Sequence, residues 1–170
     1  ACLCIWLRWV LIMKDMKLFV RDNIFFEDHF EVLKHIGAAM LNVGVVKNTY
    51  PQALLDREKD YPTGIALEGY SIAIPHCSAD NAISPAIYLI RPNAPVPFDQ
   101  ADDTGKVSAQ LIIALIVTDP KDQLVLLKRL FTNIQNPDFF YALLNAEDEE
   151  TLVSTFKNRI FNQEGVCHEA

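Results

Sequence analysis

The sequence contains no C-x-x-C pair, no glycine-rich phosphate loop, no G-x-S-x-G, no H-E-x-x-H and no dinucleotide fingerprint. Each missing pattern removes one class of chemistry. Glycine and proline are scarce, 6 and 9 in 170 residues, which excludes fibrous and low-complexity chains. Charge is scarce as well. Only 22% of residues are charged against 51% hydrophobic, the reverse of the balance that keeps a chain disordered. Positive charge is the scarcer sign, with 15 Lys and Arg against 22 Asp and Glu and a net charge of −7. No basic cluster stands out, so nucleic acid is not an expected partner. What the sequence does have is enough apolar material for one domain. A chain of this size buries roughly 70% of its unfolded surface and needs no disulfide staples.

The cysteines are Cys2, Cys4, Cys77 and Cys167. Cys2 and Cys4 form a C-x-C, but no second cluster completes a zinc site. Free thiols in a reducing cytoplasm are therefore expected, with no metal. The opening ACLCIWLRWVLI is interrupted by Arg8 and followed by Lys14, Asp15 and Lys17. It falls short of the ~20 apolar residues that a spanning helix needs. It also lacks the basic start and small-residue cleavage site of a signal peptide. Residues 1–15 are thus expected to be an apolar extension outside the fold, with Met13 and Met16 as alternative starts and a membrane-surface anchor as the other reading. A single domain is expected over 16–163 and a tail over 164–170.

Helical spacing begins after Ile24-Phe25-Phe26-Glu27. Asp28, with Glu31 three residues on, predicts a capped start, and Phe30, Leu33, Gly37, Met40 and Leu41 recur until Gly44. A second helix is predicted to open at Pro51, to carry Ala53, Leu54, Arg57 and Glu58, and to end at Tyr61-Pro62. Short β-rich runs follow at Ile65–Leu67, Ser71–Ile74 and Ala86–Ile90. Val107 to Val117 contains the unbroken apolar run Leu111–Val117, which predicts a strand buried on both faces. Three more helices are expected, through Leu124, Leu127, Leu130 and Phe131, from Pro137 to Leu144, and around Leu152, Val153 and Phe156. Helices on both sides of a strand block predict an α/β fold, a three-layer α/β/α sandwich around a mixed central sheet.

Of the four histidines, His29 and His35 sit among apolar helix residues and read as structural, and His168 falls in the tail. His76 differs. It directly follows Ser71-Ile72-Ala73-Ile74 and Pro75. Pro75 fixes its own φ and keeps Ile74 extended, so the imidazole leaves the strand in one defined direction. A nucleophilic imidazole must be neutral near pH 7 and must have one ring nitrogen held by a hydrogen bond. If it accepts a phosphoryl group, a nearby cation must stabilise the charge. Arg57 is the best candidate; the alternative is a surface arginine paired with Asp56 or Glu58. Cys77 beside His76 leaves a thiol nucleophile open as a further reading.

Arg57-Glu58, Pro62-Thr63-Gly64 and Ile72-Ala73-Ile74-Pro75-His76 together resemble the enzyme IIA domains of the fructose–mannitol class of the bacterial phosphotransferase system. The likeness runs from about Leu18 to Phe161. It implies the sandwich inferred above. It also implies that His76 accepts a phosphoryl group from the phosphohistidine of the carrier HPr and passes it to a cysteine of enzyme IIB, with Arg57 stabilising the phosphate. No metal, nucleotide or other cofactor is implied. Two positions depart from the pattern. Mannitol-type domains carry a second histidine where Gln123 stands, and a glutamate where Tyr70 stands, although Glu68 is close. Gln123 can donate to a phosphate but carries no charge. Gln123, Tyr70 and Ser78 are the candidate supporting residues. These departures, with Ile74-Pro75-His76-Cys77, Tyr88-Leu89-Ile90-Arg91-Pro92 and Phe98-Asp99-Gln100-Ala101-Asp102-Asp103, look most like the galactitol-specific branch.

The resemblance implies a cytoplasmic phosphoryl carrier serving uptake of galactitol or a related sugar, in transient contact with a membrane transporter and without direct membrane insertion. An apolar, weakly charged rim around His76 is expected, because transient docking needs modest area and fast release. Two alternatives remain: a regulatory module of the same fold whose phosphorylation state controls a partner, and a thiol-dependent hydrolase using Cys77.

Overall fold

The computed structural model describes residues 13–161. Its elements, in chain order, are β1 (Lys17–Ile24), α1 (His29–Asn42), α2 (Tyr50–Asp60), β2 (Gly64–Ala66), β3 (Ser71–Ala73), β4 (Ala86–Pro92), β5 (Val96–Asp99), β6 (Lys106–Ala109), β7 (Leu111–Ile116), α3 (Pro120–Ile134), α4 (Pro137–Leu144) and α5 (Glu149–Ile160). Local chemistry explains where the helices begin. Asp28 accepts the Glu31 N–H at 2.9 Å while the Glu31 side chain accepts the Glu27 N–H at 2.8 Å, which satisfies donors at the start of α1. Asp119, Asn136 and Asp148 cap α3, α4 and α5 in the same way.

Five strands form one sheet in the order β1-β4-β7-β3-β2. The pairs β1/β4 and β3/β7 are parallel, whereas β4/β7 and β2/β3 are antiparallel, so the sheet is mixed. Period-two alternation along β4 and β7 separates two cores. Ile87, Leu89, Ile113 and Leu115 pack with Leu126, Leu130, Phe140, Leu152 and Phe156 of α3, α4 and α5. Tyr88, Ile90, Ile112 and Ala114 pack with Leu33, Ile36, Met40 and Leu54 of α1 and α2. Burial on both faces is why β7 is apolar at every position. The three-layer sandwich expected from the sequence is present.

Three features were not read from the sequence. β1 is one: Arg21, Asp22 and Asn23 interrupt its apolar pattern, and the strand bulges there with Asn23 at φ 56°. β5 is another. Pro97 demotes V-P-F-D as a strand, yet it lies in a separate two-stranded ribbon with β6, opposite Ser108. The third is the stretch 107–117, which splits at Gln110, where the Gln110 N–H donates to Ser71 O at 2.9 Å. Met13 also packs against the α3–α5 core, three residues before the boundary drawn at 16. The expectations for residues 1–12 and for the tail lie outside the described residues. Among the described residues no helix is long and apolar enough to cross a membrane.

Candidate functional site

His76 stands just beyond the end of β3, where Pro75 O accepts the Leu115 N–H of β7 at 3.1 Å and anchors the departing chain to the sheet. The half-buried ring folds back on its own strand, with Nδ1 2.7 Å from the carbonyl oxygen of Ile74. A carbonyl only accepts, so Nδ1 carries the proton and Nε2 keeps its lone pair. Burial, with a smaller push from the Arg57 charge, holds the His76 pKa below 6.5, and the Ile74 hydrogen bond opposes part of that shift. The imidazole is therefore neutral at pH 7 and presents one defined nucleophilic nitrogen.

Arg57 approaches from the last turn of α2. Its guanidinium donates to Tyr61 O and lies over the Tyr61 ring at 4.8 Å. The alternative pairing with Asp56 or Glu58 is not what the structure has. Asp56 accepts from Gln52 Nε2 at 2.9 Å, and both Glu58 oxygens are taken by Thr63. Among the described residues Arg57 forms no ion pair. Its charge reaches both His76 and Cys77, adding to the downward shift that burial causes at His76 and opposing a small part of the upward shift that burial causes at Cys77. A guanidinium without an ion-pair partner, within electrostatic reach of a neutral imidazole, is an arrangement suited to a dianionic group.

The P-T-G turn carries this geometry. Thr63 is 5% exposed and ties Glu58 to the sheet, since its carbonyl oxygen accepts the Ile74 N–H at 3.3 Å. Gly64 has a packing reason: a Cβ there would stand 2.5 Å from Asp99 O and 2.8 Å from a Val107 methyl. Only glycine lets the β5–β6 ribbon lie this close to β2.

The three supporting candidates separate. Gln123, in the first turn of α3, donates from Nε2 to Cys77 O at 3.0 Å, so it reaches the residue next to His76. Tyr70 does not come to the site. It precedes β3 at the opposite end from His76, its hydroxyl donates to Ile134 O at 2.6 Å, and its ring stacks on Phe140 at 3.9 Å. This aromatic belongs to the α3–α5 core, and the expectation that it supports His76 is corrected. Ser78 is exposed, and its Oγ accepts the Asp80 N–H at 3.4 Å at the start of a short 3-10 turn, a capping contact. Cys77 is buried at 6% exposure with its pKa raised to about 11 by desolvation, so the thiol is protonated at neutral pH. The thiol-nucleophile reading loses its reagent.

The sequence offered Glu58 only as an alternative partner of Arg57 and as part of the Arg57-Glu58 motif, and it did not reveal the Ile74 carbonyl as the partner of the imidazole. A backbone acceptor has no side-chain signature, so only Pro75, which holds Ile74 extended, signals it. Among the described residues no group of three His, Cys, Asp or Glu side chains is placed to hold a metal ion.

Comparison with known proteins identifies the family of the chain. The chain is 53% identical over 133 residues to the galactitol-specific EIIA component of the Escherichia coli K12 PTS, covering 78% of this chain and 89% of that protein. The fold matches the E. coli mannitol enzyme IIA in its complex with phosphorylated enzyme IIB, with a TM-score of 0.62, 22% identity, and 84% and 95% of the two chains covered. It also matches the nitrogen regulatory protein IIA-Ntr of Neisseria meningitidis, with a TM-score of 0.66, 22% identity, and 85% and 98% covered. The family model described as "Phosphoenolpyruvate-dependent sugar phosphotransferase system, EIIA 2" matches residues 17–159. The chain belongs to that family.

Proposed function

We propose that this protein is a phosphoryl carrier in which His76 Nε2 receives a phosphoryl group from the phosphohistidine of HPr and delivers it to a cysteine of enzyme IIB, for uptake of galactitol or a related sugar. The observation that carries the reading is the Nδ1–Ile74 bond, which leaves Nε2 as the ring's only free lone pair. In the first step the donor N–P bond breaks as the Nε2–P bond forms. The Nδ1 proton stays in place, shared with Ile74 O. The phosphorylated ring is then a cation carrying a dianionic group, which makes it a good leaving group for the second step. There a thiolate sulfur attacks phosphorus, the N–P bond breaks, and neutral His76 is regenerated. Arg57 offsets charge on the phosphoryl oxygens through both transfers.

The surroundings fit transient docking. Tyr61 beside Arg57 and Leu124 beside Gln123 are 66% and 71% exposed, an apolar rim of the kind that brief protein contacts use. The sequence identity to a galactitol-specific component supports the sugar class. The sugar itself does not meet this domain in the proposed scheme.

The test is phosphoryl transfer from labelled phosphoenolpyruvate through the first enzyme of the system and HPr. His76 is expected to carry the label and to lose it to the cognate enzyme IIB, and His76→Ala is expected to take up none. Labelling that persists in His76→Ala refutes the assignment.

A further inference from the structure

Glu58 follows Arg57 directly, yet it is 5% exposed. A carboxylate this buried is tolerated only when its oxygens are paired. Both are, and by one residue: the Thr63 N–H donates to Oε1 at 2.9 Å and the Thr63 hydroxyl donates to Oε2 at 2.8 Å. This double contact closes the turn through Tyr61 and Pro62 where α2 gives way to β2. Arg57 grips the same turn from its other side, through Tyr61 O.

The connection continues toward the imidazole. Thr63 O accepts the Ile74 N–H at 3.3 Å, and Ile74 O accepts the Nδ1–H of His76 at 2.7 Å. Three successive links therefore join the neighbour of Arg57 to the ring of His76. The path is braced from behind, because Gly64 is wedged against Asp99 O and Ala101 N donates to Gly64 O at 2.9 Å. A residue whose only task was to fill this space would be apolar, since a paired buried ion rarely stabilises more than an isosteric hydrophobe. A carboxylate with two directed acceptors instead fixes distance and angle.

We propose that Glu58 and Thr63 are positioning residues that hold the Arg57 guanidinium and the His76 imidazole in one fixed relation, so that an incoming phosphoryl group meets both at once. This rests on the carrier reading of His76 given above. Neither residue touches the phosphoryl group; both act through Arg57, Ile74 and His76.

The decisive variants are Thr63→Val, which removes the hydroxyl at nearly constant shape, and Thr63→Ser, which restores it, with Glu58→Gln as a third. Two experiments are read: steady-state transfer from phospho-HPr, which gives kcat and KM, and the ring-nitrogen NMR signals of His76 in the absence of donor. Thr63→Val is expected to lower kcat roughly 10-fold with KM little changed, as misplacement of reacting groups does. It is also expected to weaken the preference for the Nδ1–H tautomer, and Thr63→Ser is expected to restore both. Should Glu58→Gln fail to fold, the threonine pair decides alone. The proposal is overturned if folded Thr63→Val keeps the unsubstituted kcat, if the loss appears only in KM, or if Thr63→Ser restores nothing. An unsubstituted protein that takes no label at His76 defeats the carrier reading instead; the tautomer signal, which needs no donor, then decides this proposal separately, and an unchanged signal in Thr63→Val overturns it.

Discussion

The carbonyl oxygen of Ile74 stands 2.7 Å from Nδ1 of His76, two residues further along the same chain. The bond decides which ring nitrogen reacts, and burial decides when it is free. The folded pKa lies below the ordinary 6.5, with desolvation the largest cause, so the neutral ring persists at mildly acidic pH. An NMR titration is expected to place the His76 midpoint below 6.5. The unfolded chain binds this proton more readily than the native state, so the His76 contribution to stability rises with pH up to about 6.5 and is constant above it. A midpoint at or above 6.5 contradicts both statements.

Arg57 forms no ion pair among the described residues, and Glu58, the buried acid whose ionised form its charge favours, keeps both hydrogen bonds from Thr63 when Arg57 is lost. Arg57→Ala is expected to slow phosphoryl transfer to His76 by roughly 10²–10³, the usual cost of losing one directed charge-stabilising donor. Arg57→Lys keeps the charge but not the planar fork, and it is expected to fall between the two. Quench-flow measurement of His76 labelling separates them. A lysine variant as fast as the unsubstituted protein rules out a forked contact.

Much of this molecule was legible in the sequence because its strongest signals are local. The Asp28 cap, the break at Gly44, the Pro51 start and the unbroken apolar β7 each reflect chemistry within a few residues, and each is found in the structure. β1 and β5 escaped for the opposite reason. Asp22 suits a strand because Arg91, opposite it on β4, pairs with it, and Pro97 is tolerated because its ribbon stands apart from the main sheet. His76 and Arg57 were visible through their motifs. Tyr70 was misjudged because six residues of separation said nothing about which end of β3 it would occupy. The Glu58–Thr63–Ile74 connection was hidden, since half of its acceptors are backbone oxygens brought together by the β2–β3 hairpin.

Cys77 adjoins His76 in sequence, and the two readings of the site make opposite demands on it. Its thiol is buried, accepts weakly from Asn81 Nδ2 at 3.8 Å, and has its pKa pushed up to about 11 by desolvation. Below that value the thiolate is a small minority. Native protein at pH 7.5 is expected to react with iodoacetamide at Cys77 far more slowly than unfolded protein. Cys77→Ser is expected to take up label at His76 at the unsubstituted rate. Loss of labelling in a folded Cys77→Ser variant would make the thiol a participant after all.

Arg91 fastens the edge of the sheet to the helical layer. Its Nε and Nη2 donate to the two Asp22 oxygens, each at 2.7 Å, while Nη1 donates to Leu143 O, Leu144 O and Ala146 O at 3.0, 3.2 and 2.7 Å. One side chain thus pairs a β1 carboxylate and closes the carbonyl end of α4, where helical acceptors have no partners of their own. The side chains of Arg91 and Asp22 are only 12% and 17% exposed, so the pair is weakly screened by solvent. Arg91→Ala strands one carboxylate and three carbonyls, and it is expected to cost about 3 kcal/mol in urea unfolding. Arg91→Lys is expected to recover the charge but few of the contacts. The hydrogen bond from Arg91 is the largest cause of the lowered Asp22 pKa, which in the folded state lies below 3.8. Asp22 therefore contributes its full share above that value and loses it as the pH falls through the folded pKa. The gap between the acid unfolding profiles of the unsubstituted protein and Arg91→Ala is expected to narrow as the pH falls through the folded Asp22 pKa, below 3.8, to the part that the carbonyl contacts contribute. Parallel profiles that keep their full separation down to pH 2 would mean that the three carbonyl contacts, and not the ion pair, carry the Arg91 contribution.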